Sequence, residues 1–324
     1  MRRREFITLF GGIAVALPFA ARAQQKPATV IGVLNSGGSP EANRLTLAPA
    51  FRRLAEMGYV EGRNLTVEFR NDSQEERLAA LASDLVQHRV NVIFASSGPA
   101  TSAAKAATTS IPIIFFTGFD PVAAGFVASL NRPGGNLTGI SVLNVEVLTK
   151  RLEMLRELVP TAKLIAYLDS PTKLVTGYKN VHSAADAMGV KMLDVNVSRS
   201  DDLEAAFAKI ADAQAEALFV TAGAFMIQNR QALVDLAARH KIPAVYPIRE
   251  FAVAGGLVSY GTNYPDAYRQ AGDYLGRVLN GEKPEELPVQ QVAKLELVIN
   301  MKTAKSLGLE IPLPLLGRAD EVIE

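Results

Sequence analysis

The 324-residue chain contains no cysteine. That excludes a disulfide, a thiol nucleophile and any cysteine-bound metal. Histidine is nearly as scarce, with three in the chain. His88 and His240 each fall in the last turn of a predicted helix, where partial positive charge suits the helix dipole, and His182 falls within a helix. No pair has metal-ligand spacing and no H-E-x-x-H occurs, so surface or capping roles are favoured. Cofactor fingerprints are also missing. There is no Walker A and no G-x-G-x-x-G after the first strand; Ser36-Gly37-Gly38 reads as a turn with exposed N–H groups. Gly139-Ile140-Ser141 and Ser259-Tyr260-Gly261 each supply half of a nucleophile elbow. No cofactor is expected. An excess of one charge sign is lacking too. The formal net charge is +1, and residues 1–23 hold four arginines (Arg2, Arg3, Arg4, Arg22) against Glu5, so the remainder sits near −2. That is no electrostatic footprint for nucleic acid.

What is present is ordinary globular composition, with 48% hydrophobic and 21% charged residues. The length suits two domains at about 150 residues each. The N-terminus has a basic start, an apolar stretch from Phe10 to Ala20, and Ala21-Arg22-Ala23 as a cleavage site. The apolar stretch is too short and glycine-rich for a membrane span. This predicts an export signal over residues 1–23, cleaved after Ala23, and a periplasmic mature protein. Arg3-Arg4-Glu5-Phe6-Ile7 is similar to a twin-arginine motif, and general secretion is the alternative.

Residues 91–141 organise the mature chain. Apolar runs over Val90–Ala95 and Ile111–Phe116 lack alternation, as expected of strands buried on both faces in a parallel sheet. The first ends at Ser96-Ser97-Gly98, with Pro99 opening an alanine-rich helix. The second ends at Thr117-Gly118-Phe119-Asp120, with Pro121 opening another and Asp120 as its N-cap. Before this stretch, strands are expected at Thr29–Leu34 and Leu65–Phe69, and helices at Glu41–Met57 and Gln74–His88. Leu137–Ser141 is a further strand. The pattern then restarts, with helices at Val145–Leu158, Lys173–Met188, Asp201–Ala213 and Phe225–His240. Strands alternate with them at Lys163–Leu168, Val190–Val195, Ala217–Val220 and Pro243–Tyr246. Two successive arrays of this kind argue for two doubly wound α/β domains. The tail reads as a strand at Gly256–Gly261, a helix at Tyr264–Leu279, a long strand at Pro288–Ile299 and a short helix at Thr303–Leu307, with Pro312 and Pro314 keeping the end extended.

In open α/β sheets ligands bind beyond the carboxyl ends of the strands. The candidate binding residues are therefore the strand-end groups Ser36, Ser96, Ser97, Thr117 and Asp120 from the first array. From the second come Asp169, Ser170, Thr221, Tyr246, Arg249, Glu250 and, near an expected crossing, Tyr260. Hydroxyls and free amides suit a carboxylate, carboxylates suit an ammonium, and aromatic faces suit a flat or apolar side chain. Each alone is more often a turn or cap residue; their joint placement points to binding.

Asp120-Pro121-Val122-Ala123-Ala124-Gly125 and Asn131-Arg132-Pro133-Gly134-Gly135-Asn136-Leu137-Thr138-Gly139 resemble the ABC-transporter substrate-binding family that includes tryptophan-binding lipoproteins. Phe51-Arg52-Arg53-Leu54-Ala55-Glu56-Met57-Gly58-Tyr59 looks like its first helix, and Lys294 to Asn300 with Ala319-Asp320-Glu321-Val322-Ile323 is similar to its C-terminal end. The resemblance implies a type I periplasmic binding fold. Two parallel-sheet α/β domains would be joined by three crossing strands around a cleft. Residues 28–140 plus 259–287 would form one domain, and 141–258 plus 288–324 the other. It further implies a monomer that binds an amino acid or related carboxylate and delivers it to an inner-membrane permease by domain closure. Tryptophan-binding members tend to carry an acidic or amide residue near the loop that here reads Thr221-Ala222-Gly223-Ala224. This chain has none there, and Glu250 or Asp169 is the expected substitute to take the ligand ammonium. A ligand sensor reporting to a membrane receptor shares the same fold, and a secreted α/β enzyme is the less favoured alternative.

Overall fold

The computed structural model describes residues 29–72, 74–142, 147–170, 178–292 and 294–324. The expected export signal lies outside the described residues, as do the starts of the expected helices at Val145 and Lys173. The first array runs β1 (Thr29–Asn35), α1 (Pro40–Glu56), β2 (Leu65–Asn71), α2 (Glu75–Gln87), β3 (Val92–Ala95), α3 (Gly98–Ala107), β4 (Ile113–Thr117) and β5 (Leu137–Val142). The second runs α4 (Leu148–Leu158), β6 (Leu164–Asp169), α5 (Tyr178–Ala187), β7 (Lys191–Asn196), α6 (Leu203–Asp212), β8 (Ala217–Val220), α7 (Ala224–Gln228), α8 (Arg230–Arg239), β9 (Ala244–Tyr246), α9 (Arg249–Val253) and β10 (Val258–Thr262). The tail adds α10 (Tyr264–Leu279), β11 (Gln290–Val292), β12 (Leu295–Asn300), α11 (Met301–Ser306), α12 (Leu313–Leu316) and β13 (Glu321–Ile323).

Two sheets result, ordered β2-β1-β3-β4-β5-β11 and β7-β6-β8-β9-β10-β12-β13. The first is parallel throughout. The second is mixed, because β12 runs antiparallel to β10. β3, β4 and β5 are buried at every position, which accounts for their unbroken apolar sequence. Helix starts follow local chemistry, with polar side chains accepting from otherwise unpaired first-turn N–H groups. Ser39 caps α1, accepting from the Ala42 N–H at 3.2 Å, and Asn263 caps α10, accepting from the Asp266 N–H at 2.7 Å.

The chain passes between the sheets three times, after β5, after β10 and after β11. α10 leaves the second sheet and packs on the first, against α1, β4 and β5. Four expectations change here. The single strand over 288–299 is two strands, β11 pairing with β5 and β12 with β10, because the chain changes sheet between Val292 and Leu295 where the sequence carries no Gly, Pro or Asn to mark a break. Residues 259–262, expected with the first domain, pair in the second sheet through β9 and β12. Pro121 opens a single turn rather than a helix. The Phe126 N–H bonds the Pro121 carbonyl at 2.8 Å, and Gly125, at φ +69°, ends the turn. Phe126 and Val127 then pack directly on the sheet beside α2 and α3. The expected helix over 225–240 breaks at Asn229, whose amide donates to the Phe225 carbonyl at 2.9 Å and accepts from the Ser200 hydroxyl at 2.7 Å. α9, α12 and β13 are elements that the sequence pattern did not announce.

Candidate functional site

Sheet topology locates the site before any side chain is considered. In the first sheet strand order reverses between β1 and β3, and in the second between β6 and β8. The loops beyond those four strands diverge and leave a crevice at each switch point. The two crevices meet in one cleft of about 1060 Å³, a volume that includes its open mouth. Asn35 ends β1 and Ser36 follows it, Ser96 and Ser97 follow β3, Asp169 ends β6, and Thr221 follows β8; all line this cleft.

One wall is aromatic. Phe116 at the end of β4 stacks on Tyr268, with ring centroids 4.4 Å apart at 16°. Tyr264 meets Phe116 edge-on at 5.4 Å. Tyr264 and Tyr268 are four residues apart on α10 and so share a face. Across the cleft, Tyr167 of β6 lies parallel to Phe219 at 5.6 Å. Burial pushes the phenols of Tyr167 and Tyr268 above their ordinary range, so both are neutral hydrogen-bonding groups at physiological pH. Behind this wall lies Arg151 of α4, fully buried. It donates to the Val220 carbonyl at 3.2 Å and its guanidinium sits 5.4 Å from the Phe219 ring centroid. Burial lowers its pKa to about 10, which leaves it a cation at neutral pH.

The polar lining carries unused capacity. Asn35 donates its amide to Asn43 at 2.8 Å, and its carbonyl oxygen is buried with no partner. The Thr117 and Tyr167 hydroxyls are likewise buried and unpartnered. Such groups cost roughly 1–3 kcal/mol each when left unmade. Three of them border one cleft. Among the described residues, Asp169 is the one carboxylate in the lining, and no lysine, arginine or histidine joins it. It accepts the Thr221 hydroxyl at 2.6 Å, and burial holds its carboxyl above the usual Asp range. Ser97 spends its hydroxyl locally as the N-cap of α3, accepting from the Ala100 N–H at 3.3 Å.

Six of the twelve expected residues line the cleft: Ser36, Ser96, Ser97, Thr117, Asp169 and Thr221. The structure places the other six elsewhere. Asp120 is exposed and caps the turn after β4, accepting from the Val122 N–H at 2.8 Å. Ser170 gives its N–H to the Asp169 carboxylate but is not in the lining. Tyr246 is fully buried and stacks on Phe251 at 4.9 Å. Arg249 is tied to Glu321 by two hydrogen bonds of 2.7 and 2.8 Å. Glu250 sits on α9 against β10 and β12, its carboxyl pushed up by burial. Tyr260 packs into the second sheet's own core. Tyr246, Arg249 and Glu250 share one cause, since residues 249–253 form a helix that covers the sheet. Sequence reasoning missed Asn35, Asn43, Tyr167, Tyr264, Tyr268 and Gln228. The i, i+4 tyrosines of α10 were the available signal; Tyr167 is hidden inside an apolar strand.

The family described as ABC transporter substrate binding protein matches over residues 49–323. A protein of Clostridioides difficile (strain R20291) named tyrosine-binding protein is 28% identical over 263 residues, covering 80% of this chain and 75% of that protein. A solved ABC domain from Streptococcus pneumonia in complex with L-Trp is 25% identical, with TM-score 0.78 and coverage of 91% and 100%. A substrate binding protein with adhesive properties from Clostridium difficile, solved ligand-free and open, is also 25% identical, with TM-score 0.58 and coverage of 91% and 99%.

Proposed function

The chain belongs to the ABC transporter substrate binding protein family, and on that premise we propose that it captures an aromatic amino acid in the cleft between its sheets and hands it to a membrane permease. The observation that carries this reading is one carboxylate, Asp169, facing an aromatic wall in a cleft with no lining cation among the described residues. Asp169 takes the ligand ammonium, assisted by the Asn35 carbonyl oxygen. The N-terminus of α3 at Ser97 and Gly98, with the Thr117–Phe119 loop, takes the carboxylate through N–H and hydroxyl donors. Phe116, Tyr264 and Tyr268 hold the ring, and the Tyr167 hydroxyl is placed to meet a polar group on it. The names of the tyrosine-binding relative and of the L-Trp complex agree with this ligand class.

Delivery follows from closure. The domains, one built on each sheet, are joined by three crossings that act as the hinge. The TM-score is 0.78 to the L-Trp complex and 0.58 to the ligand-free open structure at equal identity, which favours a closed arrangement here. Ligand shifts the open–closed population only by its differential affinity for the two states. The protein is not an enzyme in this reading. Residues 1–23 direct its export to the periplasm, where it acts as a monomer.

The test is thermal unfolding and calorimetry of residues 24–324 with L-tyrosine, L-tryptophan and L-phenylalanine. A ligand at 100 times its dissociation constant stabilises by about 2.7 kcal/mol. Binding of none of the three, with a sugar or dicarboxylate binding instead, overturns the ligand class. Thr117→Val removes an unpartnered hydroxyl while keeping shape. Its stability should match or exceed the parent, and its affinity should fall about five- to tenfold, the value of one net hydrogen bond. Unchanged affinity would take Thr117 out of the site.

A further inference from the structure

The lip of the cleft on the first domain is a loop without side chains. Gly37 and Gly38 follow Ser36 with φ of +119° and +75°. Amides hold both carbonyls: Asn43 donates to Gly37 at 3.2 Å, and Asn71 donates to Gly38. Asn43 is itself fixed by Asn35. Across the mouth stands Gln228, the last residue of α7 on the second domain. A Cβ at Gly37 would lie 3.0 Å from its Oε1, and a Cβ at Gly38 would lie 2.8 Å from its Nε2 and 2.9 Å from its Cδ. The bare loop and the amide therefore occupy adjoining space, and a methyl group at either glycine would push the amide, the far end of a flexible side chain, out of its place.

We propose that Gln228 is a positioning residue for the closed state, seating its amide against the side-chain-free Gly37–Gly38 lip, so that a side chain at either glycine displaces the amide from its seat and loosens the closed state. The proposal rests on the reading of this cleft as a ligand site that closes. Neither residue needs to touch the ligand for the effect. Glycine at these positions thus serves two ends, the positive φ of the turn and the clearance for Gln228.

The cysteine-free sequence allows a clean test. Leu45 on α1 and Arg230 on α8 are exposed, one on each domain. Leu45→Cys with Arg230→Cys takes two spin labels, and their distance distribution reports closure. Gly38→Ala is expected to move the distribution to longer distances and to weaken L-tyrosine or L-tryptophan at least tenfold. Alanine at positive φ strains the loop whatever stands opposite, so a second variant separates the causes. Gln228→Ala should itself lengthen the distances and weaken binding, and Gly38→Ala with Gln228→Ala should match Gln228→Ala alone. A double variant more open and weaker than Gln228→Ala overturns the proposal, as does a Gln228→Ala protein that closes and binds like the parent. If the parent binds neither amino acid, the ligand class fails separately and the ligand-free distributions decide. A short-distance component present in the parent and lost alike in Gln228→Ala and in the double variant supports the clasp, and a parent with no such component overturns it.

Discussion

Asp169→Asn is expected to weaken L-tyrosine or L-tryptophan several hundredfold, about 3–4 kcal/mol, while the protein folds normally. The size follows from removing one partner of a desolvated charge pair, which costs about 2–5 kcal/mol. Stability should move the other way. Burial raises the Asp169 pKa above its ordinary value, so the folded state favours the neutral acid. The sign of linkage is then fixed. Stability contributed by the protonated carboxyl is complete below the unfolded pKa and is lost as pH rises through the folded pKa. At neutral pH the ligand-free protein holds an unfavourable buried charge, and asparagine relieves it while still accepting the Thr221 hydroxyl. The variant should melt no lower than the parent without ligand. Binding has the opposite pH profile, because the ligand ammonium needs the ionised carboxylate. Affinity should fall as pH drops through the raised pKa, starting above the ordinary Asp value of about 3.9, and this dependence should vanish in Asp169→Asn. Calorimetry across that range checks both statements. Retained affinity in the variant would move the ammonium site away from Asp169.

The same residue shows what a sequence can and cannot disclose about such a site. Asp169, Thr221, Ser96 and Thr117 were legible because each ends a buried parallel strand, and strand ends at switch points are set by local pattern. Tyr246, Arg249 and Glu250 shared that local signature. The short helix α9 carries Arg249 and Glu250 back over the second sheet and stacks Phe251 on Tyr246 at the end of β9, and its five residues lie below the length at which apolar periodicity can be read. Tyr264 and Tyr268 reach the cleft only because α10 leaves one sheet for the other. That crossing is a long-range event, and the helix itself, Tyr264–Leu279, was legible to the residue. Local chemistry fixes the element; pairing and crossing decide which side chains face the ligand.

α10 also carries a large stability effect expected of a single methyl group. Gly272 packs against α1 so closely that a Cβ there would lie 2.4 Å from the Ala50 carbonyl oxygen and 2.8 Å from its Cα. Both atoms are helix backbone, so neither can step aside without moving α1. Gly272→Ala should therefore destabilise by about 3 kcal/mol, at the upper end of overpacking costs. The gain in helix propensity, about 1 kcal/mol, offsets only part of the clash. Gly276 lies one turn further along and provides the control. A Cβ there would meet the Met57 Cε and Sδ at 2.5 Å, the far end of a flexible side chain that can swing away. Gly276→Ala should stay within about 1 kcal/mol of the parent, because the propensity gain and the small repacking cost are similar. Thermal and urea unfolding of the two variants, measured side by side, distinguish a backbone clash from a general intolerance of alanine in α10; equal losses would argue against the close approach of α1 and α10. Affinity adds a second readout. Tyr264 and Tyr268 ride on the same helix as Gly272, so lifting α10 from α1 tilts the aromatic wall against Phe116. Gly272→Ala should weaken aromatic amino acids as well as lower the melting point, whereas Gly276→Ala should leave both near the parent values.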